Sequence, residues 1–134
     1  MGGTFNVGGT AKYIESLSLD MGQDVPALGA VQTTGYYENF MGARNPKGTF
    51  DPFADTAAIL TAFRAGTLAE IWMEAGEQDN ADNEVVMVTP SCQYEKVDFT
   101  DREGVNSYNV GFGAYETSGD DDVILAFCSE TAEP

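Results

Sequence analysis

Between Asn106 and Glu116 the chain alternates without a break: Tyr108, Val110, Phe112 and Ala114 fall on one parity, and Ser107, Asn109, Gly111 and Gly113 on the other. A helix cannot gather such a series on one face, because its period is about 3.6 residues; a strand, whose side chains alternate, can. The segment reads as a strand with one packed face and one smooth polar face. Thr100-Asp101-Arg102-Glu103-Gly104 before it and Ser118-Gly119-Asp120-Asp121-Asp122 after it read as turns. Val123 to Cys128 then follows, apolar on both faces as a central strand would be.

The same alternation recurs upstream. Ala11 to Asp20 places Leu17 and Leu19 on one parity with Tyr13 before them and Met21 after. Gly48 to Phe53 is a short strand, and Leu68 to Ala75 sets Ala69, Ile71 and Met73 against Leu68, Glu70, Trp72 and Glu74. Gly76 to Asn83 is a polar turn, and Glu84 to Phe99 is a long extended segment with a bend or bulge at Pro90, which cannot donate to a central ladder. One helix is indicated, with Asp55 as its cap, Ile59, Leu60 and Phe63 as its apolar stripe and Gly66 as its end. At 134 residues there is room for one core. The predicted organisation is a flexible glycine-rich arm (1–10), a single mainly-β domain (11–128) and a frayed tail (129–134). The fold class is a β-sandwich or small barrel with one flanking helix.

Gly22 to Gly48 breaks the pattern. It is long, carries two prolines and holds Tyr36, Tyr37, Phe40 and Met41. Long loops without periodicity in a small domain are functional or disordered, and aromatic residues argue against disorder. Val31, Tyr36, Tyr37, Phe40, Met41 and Arg44 are candidates for contact with a neighbouring molecule. The same aromatics would also suit a cover over the domain's own core, and the sequence leaves both readings open.

Chemistry is scarce. With no histidine, the commonest general base and zinc ligand is missing, and the chain reads as a non-enzyme without cofactor or metal. Gly3 to Thr10 approaches a phosphate loop but has Gly9 where that loop needs its lysine. Asp79, Asp82 and Glu84, and Asp120 to Asp122, lack the alternate spacing of a calcium loop and read as solvated turns. Cys92 and Cys128 read as buried thiols. The formal charge is −16, and it is uneven. Residues 68–134 hold sixteen acids and two bases, whereas residues 1–67 hold six and four. Such a chain repels phosphate backbones and anionic membranes. The N-terminal sequence has neither the basic region nor the apolar run of a signal peptide, so a product that is kept in the cytosol, or leaves it by an unusual route, is expected.

Three stretches, AKYIESLSLDMGQDVPALGA, GTFDPFADTAAILTAFRAGTLAEIWMEA and YEKVDFTDREGVNSYNVGFGAYETSGDDDVILAF, give the order strand, long loop, strand, helix, strand, extended segment, hairpin. In this the chain resembles the bacteriophage tail tube (major tail) proteins, whose fold is shared by tube-forming proteins of contractile injection machines. The resemblance implies a structural protein of the virion tail, assembled in the host cytoplasm. Its homo-hexameric rings would stack into a hollow tube whose inner sheets join into one barrel. It implies a tape-measure protein as assembly partner, and double-stranded DNA passing through without specific binding. Glu95, Asp98, Ser107, Asn109 and Glu116 would then face an acidic lumen, and the Gly22–Gly48 loop would reach a neighbouring subunit or ring. The competing reading is a phage structural module that does not polymerise, such as a capsid decoration or baseplate-associated domain. An extracellular ligand-binding sandwich fits less well, for want of a signal peptide and a disulfide framework.

Overall fold

A computed structural model describes residues 2–30, 35–39, 42–76 and 84–128. The elements run β1 (Gly2–Val7), β2 (Thr10–Ala11), β3 (Ile14–Asp20), β4 (Ala27–Ala30), β5 (Gly35–Asn39), β6 (Lys47–Pro52), α1 (Ala58–Ala65), β7 (Ala69–Gly76), β8 (Glu84–Arg102), β9 (Val105–Ala114) and β10 (Ile124–Cys128). The described residues are mainly β with one helix.

The 19-residue β8 organises the rest. Its first half pairs with β7 on one edge, and with β10 from Glu84 to Val88 on the other; its second half, from Cys92 to Arg102, pairs with β9. All pairings are antiparallel, and they form one sheet in the order β2-β1-β7-β8-β9-β6-β3, with β10 beside β8. The sheet is not closed. It curls until β1 lies over β6, where the rings of Phe5 and Phe50 meet at 5.2 Å. Phe50 also meets Phe112 at 5.9 Å and Tyr94 at 6.2 Å. Ile71, Val110, Cys92 and Ala114 complete the centre of this core, and α1 adds Ile59, with Ala62 and Phe63 packed on its margin.

Alternation places these residues as the sequence requires. Tyr108, Val110, Phe112 and Ala114 are all buried, and so is Ile71 on β7. The register slips between Ala69↔Cys92 and Ile71↔Thr89, so Pro90 and Ser91 form the bulge predicted at the proline. Glu103 and Gly104, both at positive φ (51° and 86°), make the two-residue turn from β8 to β9, a geometry that suits the strands' twist. Asp101 caps it by accepting from the Gly104 N–H at 3.0 Å.

Several expectations need correction. Residues 2–10 of the expected arm are not free, since β1 pairs with β7 from Gly2 to Val7 and buries Phe5 and Val7. Two alternating apolar residues suffice to anchor it. Gly3 to Thr10 is strand, turn and strand, with no helix to carry a phosphate loop. Asp55 does not cap α1; the N-cap is Ala57, and the Asp55 carboxylate pairs instead with Lys12 at 3.1 Å. Tyr13 is exposed and Ile14 packs on the core in its place, because a bulge between Ile14 and Leu17 reverses parity. Nor is β10 central: among the described residues its outer edge has no partner, and Ile124, Leu125 and Phe127 are exposed. Between Gly22 and Gly48 the backbone forms the hairpin β4–β5, a sheet separate from the main one.

The β3 bulge is held from β6. Bulging leaves the amides of Glu15 and Ser16 without ladder partners, and Asp51 Oδ1 accepts both, at 2.9 and 2.8 Å. Ser16 Oγ donates to Oδ2 at 3.1 Å, and Arg102 reaches the same carboxylate at 2.6 Å. Burial pushes the Asp51 carboxyl up, but the two amides, the hydroxyl and the guanidinium together outweigh it and hold it below 3.8. Gly48 lies where the sheet is tightest: a Cβ there would fall 2.5 Å from both the Phe112 ring and the Ser18 carbonyl oxygen.

Two outcomes follow. Gly48→Ala should destabilise the fold by about 1–3 kcal/mol in urea denaturation, as overpacking does. Gly111→Ala, whose Cβ would meet Lys96 at an ordinary 3.5 Å, should be close to neutral. Because the native Asp51 pKa is depressed, its contribution is present above 3.8 and lost as pH falls through the lower native value. Asp51→Asn should therefore cost about 1 kcal/mol at neutral pH, allowing for screening at a partly exposed site. That gap should shrink as denaturation is repeated below about pH 4.

Candidate functional site

The second half of β8 with β9, β6 and β3 forms a four-stranded sheet whose inner face is the core and whose outer face is polar. Register defines that outer face: Lys96↔Gly111, Asp98↔Asn109 and Thr100↔Ser107 across β8 and β9, Lys47↔Gly113 and Thr49↔Gly111 across β6 and β9, and Ser18↔Thr49 and Asp20↔Lys47 across β3 and β6. Two glycines at its centre leave it smooth.

Its cations are paired. Lys47 meets Glu95 at 2.8 Å, Lys96 meets Asp98 at 2.6 Å, and Arg102 meets Asp51 at 2.6 Å and Glu15 at 3.0 Å while lying 5.0 Å over the Phe53 ring. The Glu95 carboxylate raises the Lys47 pKa by its hydrogen bond, against a smaller opposing effect of burial. Three of the chain's six cations thus stand on this face, each beside a carboxylate. Five carboxylates, Glu15, Asp20, Asp51, Glu95 and Asp98, stand on or beside the face with these three cations, so it keeps a modest acidic excess. Of the acids after residue 67, Glu95 and Asp98 lie here, each beside a lysine, while Glu70, Glu74, Glu84 and Asp120 to Asp122 lie on other elements or the β9–β10 connection.

The individual candidates divide. Glu95, Asp98 and Asn109 are exposed on or beside the face, with Glu95 at a bulge between Tyr94 and Lys96. Ser107 has the right parity but is 1% exposed, because Thr100 Oγ1 bonds it at 2.8 Å and Phe53 bridges to it from the edge, so it lines no open surface. Glu116 lies past β9, where it lines an open cleft of about 700 Å³ with Gln23, Arg44, Asn45, Tyr115 and Asp122. Arg44 holds this cleft together through Asp122 at 2.8 Å and Asp120 at 3.6 Å, joining the base of the β4–β5 hairpin to the β9–β10 connection. The Gly42 N–H closes that base on the Asp24 carbonyl at 2.9 Å. Tyr36 and Tyr37 are backbone positions of β5. Their side chains, and Val31, Phe40 and Met41 entirely, lie outside the described residues.

Sequence reasoning missed Lys47, Lys96, Arg102 and Asp51. The parity of Lys96 and Asp98 was legible, but the pairs from β6 to β8 depend on register and on the bulge at Glu95.

Among the described residues both lateral edges of this polar sheet are free. β3 pairs with β6 alone, and β8 beyond Cys92 pairs with β9 alone. Alternating strand directions make the two edges antiparallel to one another. A charged residue guards each edge, Asp20 on β3 and Lys96 with Asp98 on β8, which suits edges that pair only with a matched partner.

No protein-family model matches the sequence, and no curated protein aligns with it. Solved structures do match by fold. A chain of the anti-feeding prophage cap, which terminates that particle's tube, superposes with a TM-score of 0.68 at 12% identity, over 92% of this chain and 87% of that one. A chain of the sheath/tube terminator of the extracellular contractile injection system PVC gives 0.68 at 10% identity, over 92% of each. A chain of the native gene transfer agent virion gives 0.56 at 12% identity, over 85% of this chain and 83% of that one. At such identities the likeness is one of fold, and the fold of this chain is the tail-tube type found in these injection and transfer particles.

Proposed function

We propose that the chain is a structural subunit of a phage-like tail tube, whose copies join edge to edge through the sheet of β3, β6, β9 and β8. The observation that carries this reading is the pair of free, mutually antiparallel edges flanking one smooth polar face. A ring built this way continues the sheet from one copy's β8 to the next copy's β3 without breaking its direction. Six copies of four strands at about 4.8 Å spacing give a circumference of roughly 115 Å, hence a barrel about 37 Å across before tilt. That bore is wide enough for a duplex to pass.

The polar face suits the wall of such a bore for a reason beyond its modest acidic excess. Its lysines and its arginine are engaged by carboxylates, so no free cation meets a passing phosphate, and the glycines offer nothing to grip. The separate β4–β5 hairpin suits contact with a neighbouring subunit, since an isolated two-stranded hairpin is marginal in water. Tube length in this reading is set by a tape-measure partner. A second reading, a terminator that forms one ring at the end of a tube, is favoured by the similarity to two tube-terminating structures.

Electron microscopy of the purified protein distinguishes these readings. Long hollow tubes are expected for a tube subunit and single rings for a terminator, whereas monodisperse small particles across salt and concentration would overturn both. Replacing residues 27–41 with a short Gly-Ser linker should change monomer stability by less than about 1 kcal/mol, since among the described residues β4 and β5 pair only with each other, yet abolish assembly. In assembled particles, the double substitution Glu95→Gln and Asp98→Asn frees Lys47 and Lys96. These particles should retain duplex DNA at about 50 mM salt and release it by about 500 mM, while the parent retains none.

A further inference from the structure

Natural sheets protect their edges with charge, proline, bulges or cover. The two edges of the polar sheet obey that rule, with Asp20 on one and Lys96 and Asp98 on the other. β10 does not. Its sequence, Ile124-Leu125-Ala126-Phe127-Cys128, has no charge and no proline. Its register with β8 runs unbroken from Ile124↔Val88 to Cys128↔Glu84, without a bulge. Among the described residues no strand pairs with its outer edge. Leu125 and Phe127 continue the core face beyond Met87 and Val85, yet they are 53% and 75% exposed; Ile124, on the opposite face, is 45% exposed. A strand apolar on both sides is the pattern of a central strand, and one neighbour is missing.

The charges around it say what that neighbour is. Asp120 and Asp121 precede β10 at the surface, whereas Asp122 is buried against Arg44; Glu84 stands opposite the strand's end, with Glu74 one strand further across the same sheet. The cation beside them, Arg44, is already held by Asp122 and Asp120. A second copy of this chain brings no remedy. Lys12, Lys47, Lys96 and Arg102 are each engaged by a carboxylate within the subunit, and Arg64, which has none among the described residues, sits at the end of α1 rather than on a strand.

We propose that β10 is a docking edge for a different protein, which adds an extended segment antiparallel or parallel to it, apolar in the middle and flanked by lysine or arginine. Main-chain hydrogen bonds to the free edge supply the binding, burial of Leu125, Phe127 and Ile124 supplies the apolar contact, and the acidic rim selects basic flanks. This surface is separate from the edges that the tube reading uses, so the proposal stands or falls independently of polymerisation.

The test uses the full chain and two fluorescent peptides of about ten residues, each with an alternating Val/Thr centre, one flanked by lysines and the other by glutamates. Fluorescence anisotropy should show the lysine-flanked peptide binding at least about tenfold more tightly, with affinity falling about tenfold between about 50 and about 500 mM salt. Leu125→Glu with Phe127→Glu should abolish binding, and amides 124–128 should gain hydrogen-exchange protection when the peptide is present. A lysine-flanked peptide N-methylated at alternate residues, which cannot complete the ladder, should not bind; this control leaves the protein unaltered, so it holds even if the double variant misfolds. The proposal is overturned if neither peptide binds, if both bind equally, or if the methylated peptide binds as well as its parent. It is also overturned if β10 substitutions abolish self-association instead, which would make the edge a contact between copies.

Discussion

The contact between Phe5 and Phe50 is the constraint on which the architecture rests. These rings belong to strands at opposite ends of the sheet path, and they meet only because the sheet curls through β7, β8 and β9. A large aromatic surface is removed from water at that meeting, and Phe112 and Tyr94 extend it. Everything with functional content lies outside this centre: the polar face behind Phe50 and Phe112, the free edges of β3 and β8, and the uncovered margin at β10. The curl explains why one sheet can offer a packed interior and still end in open edges.

Irregularities set the direction of that curl. The bulge at Pro90 and Ser91 lies where β8 passes from its pairing with β7 to its pairing with β9, and the bulge at Glu95 follows shortly after. The bulge in β3 is compensated by a single carboxylate, Asp51, which accepts two orphaned amides and binds the guanidinium that secures the β8–β9 turn region. Polar chemistry on this face therefore serves the fold first. Its value for transport lies in the same pairing, because engaged cations leave nothing for a phosphate to hold.

Much of the fold was legible in local pattern. The parity of Tyr108 to Ala114 located the buried face of β9, the proline located a bulge, and Ile59 with Gly66 located the helix. Failures share one cause, which is that they depended on partners distant in sequence. β1 was hidden by its glycines although Phe5 and Val7 alternate, because pairing with β7 supplies the order that its own side chains do not advertise. Asp55 had the chemistry of a cap but lay nearer to Lys12. Ser107 had the parity of an open face, yet Thr100 and Phe53 close over it.

By itself the sequence determined that the chain is a mainly-β protein with one helix, which residues of β7 and β9 face inward, and that no histidine chemistry is present. These properties follow from period-two alternation and composition, which involve only neighbours along the chain. Tertiary structure alone decided where the charge of −16 resides. Register brought Lys47 to Glu95 and Arg102 to Asp51, engaging every cation of the polar face with a carboxylate, while β10 and its flanking acids were left exposed. Alternation fixes which side of a strand a residue occupies, but the register across strands fixes which charge it meets.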